Sequence, residues 1–277
     1  MKQGIGKQSG ALRLPRIAAS SYLNTAPLIW SFQHGTRRRA VELITDAAPA
    51  RCADLLARGK VDAALVPVIE YQRMNDLMVV PGVCVGASSR VRSVVIATRG
   101  KELKDVRSIA LDTSSRTSAA LVQVIFREFF QQAPLVVEQS PDVRRMLEDY
   151  DAALLIGDPA MVFPREGLFV YDLAELWREH TALGFVFAMW MARAVDSGRI
   201  VRDTDFSGAR DEGLERVEEI VSHYQRELDL SPAELRSYLL ENISFNLSGE
   251  MRAGLDLFYA LAHKHKLIPD IRPLKFI

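Results

Sequence analysis

Ser108-Ile109-Ala110-Leu111-Asp112-Thr113-Ser114-Ser115-Arg116-Thr117-Ser118 is the stretch from which the fold is read. The residues up to Leu111 form a short apolar strand, and Ala119 to Phe130 continues as an amphipathic helix. Strand, tight loop and helix succeed one another, with Ser114 or Ser115 as the N-cap. The first amides of such a helix have no intrahelical partner, and the helix end carries partial positive charge. A plain cap needs one hydroxyl, whereas five stand between Thr113 and Ser118. Ser114, Ser115, Arg116, Thr117 and Ser118 therefore read as a mouth for a carboxylate or phosphate, with simple capping as the alternative.

The same rhythm runs outward in both directions. Arg16–Ser20, Val41–Ile44 and Val61–Val66 are predicted strands. Helices separate them, one with Pro27 in its first turn and one over roughly 49–58 that Gly59 ends. Two extended stretches, 79–85 and 91–98, interrupt the pattern, which resumes with strands at 109–111, 135–137 and 152–156. Asp-Ala-Ala-Leu occurs at Asp62–Leu65 and again at Asp151–Leu154, in the same strand-helix context. Phe185–Met191 is a continuous apolar strand long enough to return from one half to the other, and the chain beyond it is helical. There Ser231-Pro232-Ala233-Glu234 is a capping box. Strands alternating with helices imply α/β architecture, here as two open sheets joined by a two-strand hinge. The expected layout is a disordered extension over residues 1–14, a discontinuous first lobe of 15–92 and 190–277, and a second lobe of 93–189.

Composition limits the function classes. With 48% hydrophobic residues and 25% charged ones, the 277-residue chain is of globular type. Lys+Arg and Asp+Glu both total 35, so no net field favours nucleic acid or an anionic membrane. Cys52 and Cys84 have no metal-ligand spacing and fit a reducing compartment. Polar residues interrupt residues 1–14, which lack a signal peptide's apolar core, and the expected location is cytoplasmic. Oligomeric state is left open.

Open α/β sheets bind ligands beyond the carboxyl ends of their strands. Loops after Ser20, Leu65, Leu111 and Ile156 would then line one cleft between the lobes. Asn24 offers an amide to it and Thr25 either a ligand contact or a cap. Ser88 lies in the turn between the two hinge stretches. Gly157 permits close backbone approach, and Asp158 either caps a helix or meets a ligand hydroxyl. Among the histidines only His180 is a candidate for the cleft. Metal, nucleotide and serine-hydrolase motifs are missing from the sequence. By themselves these residues describe a two-lobed binder of a small carboxylate.

Three runs carry a resemblance: Ser21-Tyr22-Leu23-Asn24-Thr25-Ala26-Pro27-Leu28, Asp62 through Tyr71, and Leu111-Asp112-Thr113-Ser114-Ser115-Arg116-Thr117-Ser118. In this order they resemble the chorismate dehydratase family of the futalosine route to menaquinone. Leu154 to Ala160, Trp177 to Trp190 and Tyr238 to Ile268 are similar to it as well. Thr181-Ala182-Leu183-Gly184-Phe185 departs from the family's more usual Thr-Gly-Leu-Pro-Phe. The resemblance implies a type II periplasmic-binding-protein-like fold without cofactor or metal, which converts chorismate to 3-[(1-carboxyvinyl)oxy]benzoate and water. Asn24 and Ser88 are then the expected catalytic residues. Ser20, Thr25, Ser114, Ser115, Arg116, Thr117, Ser118, Gly157, Asp158 and Phe185 are the expected substrate contacts. The alternatives are the sibling 1,4-dihydroxy-6-naphthoate synthase, which relies on a histidine, and a non-catalytic binder of small carboxylates.

Overall fold

A computed structural model describes residues 13–277. The extension expected over 1–14 lies, apart from Arg13 and Leu14, outside the described residues. From there the chain builds a first lobe from β1 (Arg16–Ser20), α1 (Ala26–Gln33), β2 (Glu42–Asp46), α2 (Pro49–Ala57), β3 (Ala63–Pro67), α3 (Glu70–Arg73) and β4 (Leu77–Ala87). It then crosses to β5 (Val94–Thr98), β6 (Ser108–Asp112), α4 (Arg116–Glu128), β7 (Leu135–Gln139), α5 (Val143–Asp149) and β8 (Ala152–Ile156). The second lobe closes with α6 (Gly157–Val162), β9 (Phe169–Asp172) and α7 (Leu173–Thr181). The chain returns through β10 (Phe185–Arg193) to α8 (Ala194–Asp203), α9 (Phe206–Glu215), α10 (Val217–Tyr224), α11 (Pro232–Ser237) and α12 (Gly249–Lys264).

Each lobe holds a five-stranded sheet, in the orders β2-β1-β3-β10-β4 and β7-β6-β8-β5-β9. Three parallel strands in each continue into one antiparallel strand, β10 in the first and β5 in the second. Each antiparallel strand is the first after a crossing of the hinge, so the two lobes exchange strands and are built alike. The repeated Asp-Ala-Ala-Leu has a structural cause. Asp62 accepts the Arg16 amide at 2.7 Å, and Asp151 accepts those of Arg107 and Ser108 at 2.8 and 3.2 Å. In both lobes an aspartate ahead of the third strand thus pins the start of the first, satisfying amides that the ladder leaves open.

The returning strand differs from expectation. All of β10 pairs in the first sheet, from Phe185 against Ala87 to Arg193 against Leu77, so residues 185–189 lie with lobe one and the sheets change over at 184/185. Phe185 is fully buried against Trp177 and Phe258, in edge-to-face contacts at 5.4 and 5.2 Å. This cluster fixes the hinge against α12. Gly254 allows that helix its close approach, since a Cβ there would lie 2.0 Å from the Gly184 carbonyl oxygen. The Ser231–Glu234 capping box forms as read from sequence. Cys52 and Cys84 are buried free thiols, and burial pushes both up to about 12, so neither is a nucleophile at neutral pH.

Candidate active site

The carboxyl ends of β1, β3, β6 and β8 meet at the crevice between the lobes. A narrow cleft with about 540 Å³ of non-atom space, the open mouth included, lies there. Polar groups line it from both lobes, Ser20, Asn24 and Thr25 from the first and Ser115, Thr117 and Ser118 from the second. Leu65, Pro67, Val85, Val91, Val94, Ile156 and Phe187 supply apolar surface. No Lys, Arg, His, Asp or Glu is among the lining residues.

Ser115 caps α4, its Oγ accepting the Ser118 amide at 3.2 Å. Among the described residues the amides of Arg116 and Thr117 find no protein acceptor, and α4 directs its positive end at the cleft. The loop ahead of it is held by Asp112, which accepts the Ser114 amide at 2.9 Å, the Ser114 hydroxyl and the Ile156 amide at 3.2 Å. Burial raises the Asp112 carboxyl above the ordinary range, and these donors pull it back. Ser114, an expected ligand contact, is thereby committed to structure and does not line the cleft.

Thr25 and Ser20 line the cleft, but the Thr25 hydroxyl also donates within its own turn, to the carbonyls of Ser20 and Tyr22 at 2.7 and 2.6 Å. Asn24 is half-buried with its amide near the Tyr238 hydroxyl, which donates to Ser93 Oγ at 2.7 Å. Ser93 lies between the lining residues Val91 and Val94.

Three further expectations are corrected by geometry, and the open candidate His180 is placed. Ser88 is exposed, is not among the cleft lining, and accepts with its carbonyl from Arg178 at 2.6 Å. Phe185 lies in the hinge core, and Phe187 takes the cleft position. Arg116 reaches across to Asp54 at 2.7 Å and Glu70 at 3.1 Å, so its charge is already answered. His180 is exposed and stacks on Phe129 at 4.4 Å, away from the cleft lining.

Tyr22 carries no signal in the sequence that marks it for the site. It leaves lobe one, lines the cleft and sets its ring over Gly157 of lobe two. Gly157 has φ +63, and a Cβ there would lie 2.5 Å from the Tyr22 ring. Beside it Asp158 accepts the Leu23 amide at 2.9 Å, another bond between lobes. Burial pushes the Asp158 carboxyl up to about 7, against the Leu23 hydrogen bond and with the Glu227 charge adding to the rise.

Asp158 gives the fold a pH dependence. A carboxyl raised in the closed fold stabilises it fully below its ordinary pKa of about 4, and this stability is lost as pH rises through about 7. Across that window each pH unit removes at most about 1.4 kcal/mol. Asp158→Asn keeps an acceptor for Leu23 and cannot ionise. Thermal unfolding should find the variant close to the parent near pH 4 and more stable at pH 8, and a constant difference across this range would refute the assignment.

A family model described as menaquinone biosynthesis matches residues 15–264. A chorismate dehydratase of Thermus thermophilus is 32% identical over 265 residues, 89% of this chain and 93% of that protein. A solved structure of an Archaeoglobus fulgidus protein superposes with TM-score 0.73 at 17% identity, covering 92% of this chain and 98% of that one. The periplasmic aliphatic sulphonate binding protein SsuA of Escherichia coli gives 0.62 at 16% identity, covering 96% and 94%. These two likenesses establish the periplasmic-binding-protein-like fold.

Proposed function

The chain belongs to the menaquinone-biosynthesis family, and from that premise we propose that it is a chorismate dehydratase, a hydro-lyase that releases 3-[(1-carboxyvinyl)oxy]benzoate and water. The observation that carries the reading is the 32% identity to such an enzyme over nearly its whole length. A cleft lined by hydroxyls, a helix mouth and apolar side chains supports it.

The reaction removes the ring hydroxyl and the hydrogen on the neighbouring carbon that bears the enolpyruvyl ether. The C–H electrons form the new ring double bond, the C–O bond breaks, and hydroxide leaves as water after taking a proton. Aromatisation drives the step. The ring carboxylate, conjugated through a ring double bond, accepts part of the developing charge. Ser115, Thr117, Ser118 and the open amides of α4 are placed to bind that carboxylate, and such preorganised donors act on charge as it develops. Asn24 and Ser20 would orient the side chain.

With no carboxylate, lysine, arginine or histidine in the lining, and the Tyr22 phenol raised above its ordinary range by burial, the substrate's own enolpyruvyl carboxylate is the proposed base. An intramolecular base held in line reaches effective molarities of about 10⁵–10⁸ M, so low basicity suffices. The same lining disfavours the histidine-dependent naphthoate synthase. Purified protein incubated with chorismate should generate a benzoate-type ultraviolet spectrum, and binding without product would favour a passive receptor. Converting the side-chain carboxylate to an amide should slow turnover by about 10²–10⁴-fold, and undiminished turnover would rule out substrate assistance.

A further inference from the structure

Arg116 opens α4 in lobe two, yet its guanidinium ends in lobe one. Nη2 meets Asp54 Oδ1 of α2 at 2.7 Å, and Nη1 meets Glu70 Oε2 of α3 at 3.1 Å. Its neighbours cross the same boundary. The Ala50 amide donates to the Ser114 carbonyl at 3.3 Å, and the Ile69 amide to Thr117 Oγ1 at 3.3 Å. A stretch read from sequence as an anion receptor is thus, at its centre, a junction between lobes.

An exposed ion pair contributes little to stability, but this one differs in two respects. The Glu70 side chain is only 5% exposed, and apart from Arg116 its cation is Arg73 at 3.4 Å. One guanidinium also serves two carboxylates from separate elements, a task for its planar fork that a lysine cannot match. Separating the lobes breaks both bonds at once.

We propose that Arg116 is a clasp, a positioning residue that holds the lobes shut through Asp54 and Glu70 without touching substrate. The kinetic part of the proposal rests on the dehydratase reading, and the conformational part does not. A protein whose binding-competent form is only partly populated binds with apparent affinity reduced by that fraction. Loss of the clasp should therefore raise KM and speed ligand release, and affect saturated turnover less.

Spin labels introduced by Ala57→Cys on α2 and Glu148→Cys on α5, both exposed, would report the distance between lobes by double electron–electron resonance. The native thiols are buried and should not label. Arg116→Gln is expected to shift the ligand-free distances outward and to raise KM for chorismate at least tenfold. Asp54→Asn, at a part-exposed carboxylate, should give the same shift and secures the test if Arg116→Gln does not fold. The double variant should be no worse than Arg116→Gln alone. An unchanged distance distribution would overturn the clasp, as would a fall in saturated turnover larger than the rise in KM. If the parent protein fails to turn over chorismate, the dehydratase reading falls while the distance measurement still decides the clasp.

Discussion

Gly157→Ala should prevent the lobes from closing and weaken binding of chorismate by about 100-fold or more. Two costs add. A non-glycine residue in the left-handed region costs about 1–2 kcal/mol, and φ is +63 here. The added methyl would also stand 2.5 Å from Cδ2 and Cε2 of Tyr22, inside van der Waals contact. Tyr22 cannot give way freely, since it is buried. At 1.4 kcal/mol per factor of ten, strain and clash together reach the stated loss. Isothermal titration would measure it, and Tyr22→Ala placed on Gly157→Ala should recover part of the affinity. Wild-type affinity in Gly157→Ala would mean that the ring and the glycine do not meet in the ligand-bound form.

Asn24→Ala should lower kcat/KM for chorismate by about 10²–10³-fold, the loss typical of removing one preorganised donor from a charge-stabilising site. Asn24 is half-buried at the cleft, beside a Tyr238 hydroxyl that is anchored on Ser93. Tyr238→Phe, which keeps the ring and removes the neighbouring hydroxyl, should have a smaller effect of about tenfold. Steady-state rates with ultraviolet detection separate the two variants. Loss in Tyr238→Phe equal to that in Asn24→Ala would indicate that the tyrosine hydroxyl itself meets the substrate, and full activity in Asn24→Ala would exclude the amide from the reaction.

A cleft that takes the dianion of the proposed reaction would do so with neutral donors, since hydroxyls, an amide and unpaired helix amides line it. The charges near it, Arg116, Asp54 and Glu70, answer one another across the boundary between lobes. Within one short loop Ser115, Thr117 and Ser118 line the cleft, while the Arg116 guanidinium reaches the other lobe.

Local pattern was enough for much of this. Strand and helix periods over 108–126, the cap at Ser115, the capping box at Ser231 and the repeated Asp-Ala-Ala-Leu each depend on neighbours within a few residues. Two similar lobes, and a cleft where Ser20, Asn24, Ser115, Thr117 and Ser118 converge, are therefore legible in the chain alone. The rest needed long-range geometry. Arg116 is 62 residues from Asp54 and 46 from Glu70, so nothing local distinguishes a ligand-binding guanidinium from one engaged by carboxylates. Phe185 and Phe187 share parity on one strand, yet a register shift between Val186 and Ala188 puts one in the hinge core and the other at the cleft. Tyr22 and Gly157 each look ordinary until two lobes meet. Periodicity encodes which face of an element is buried, but the surface that buries it is set only when distant segments pack together.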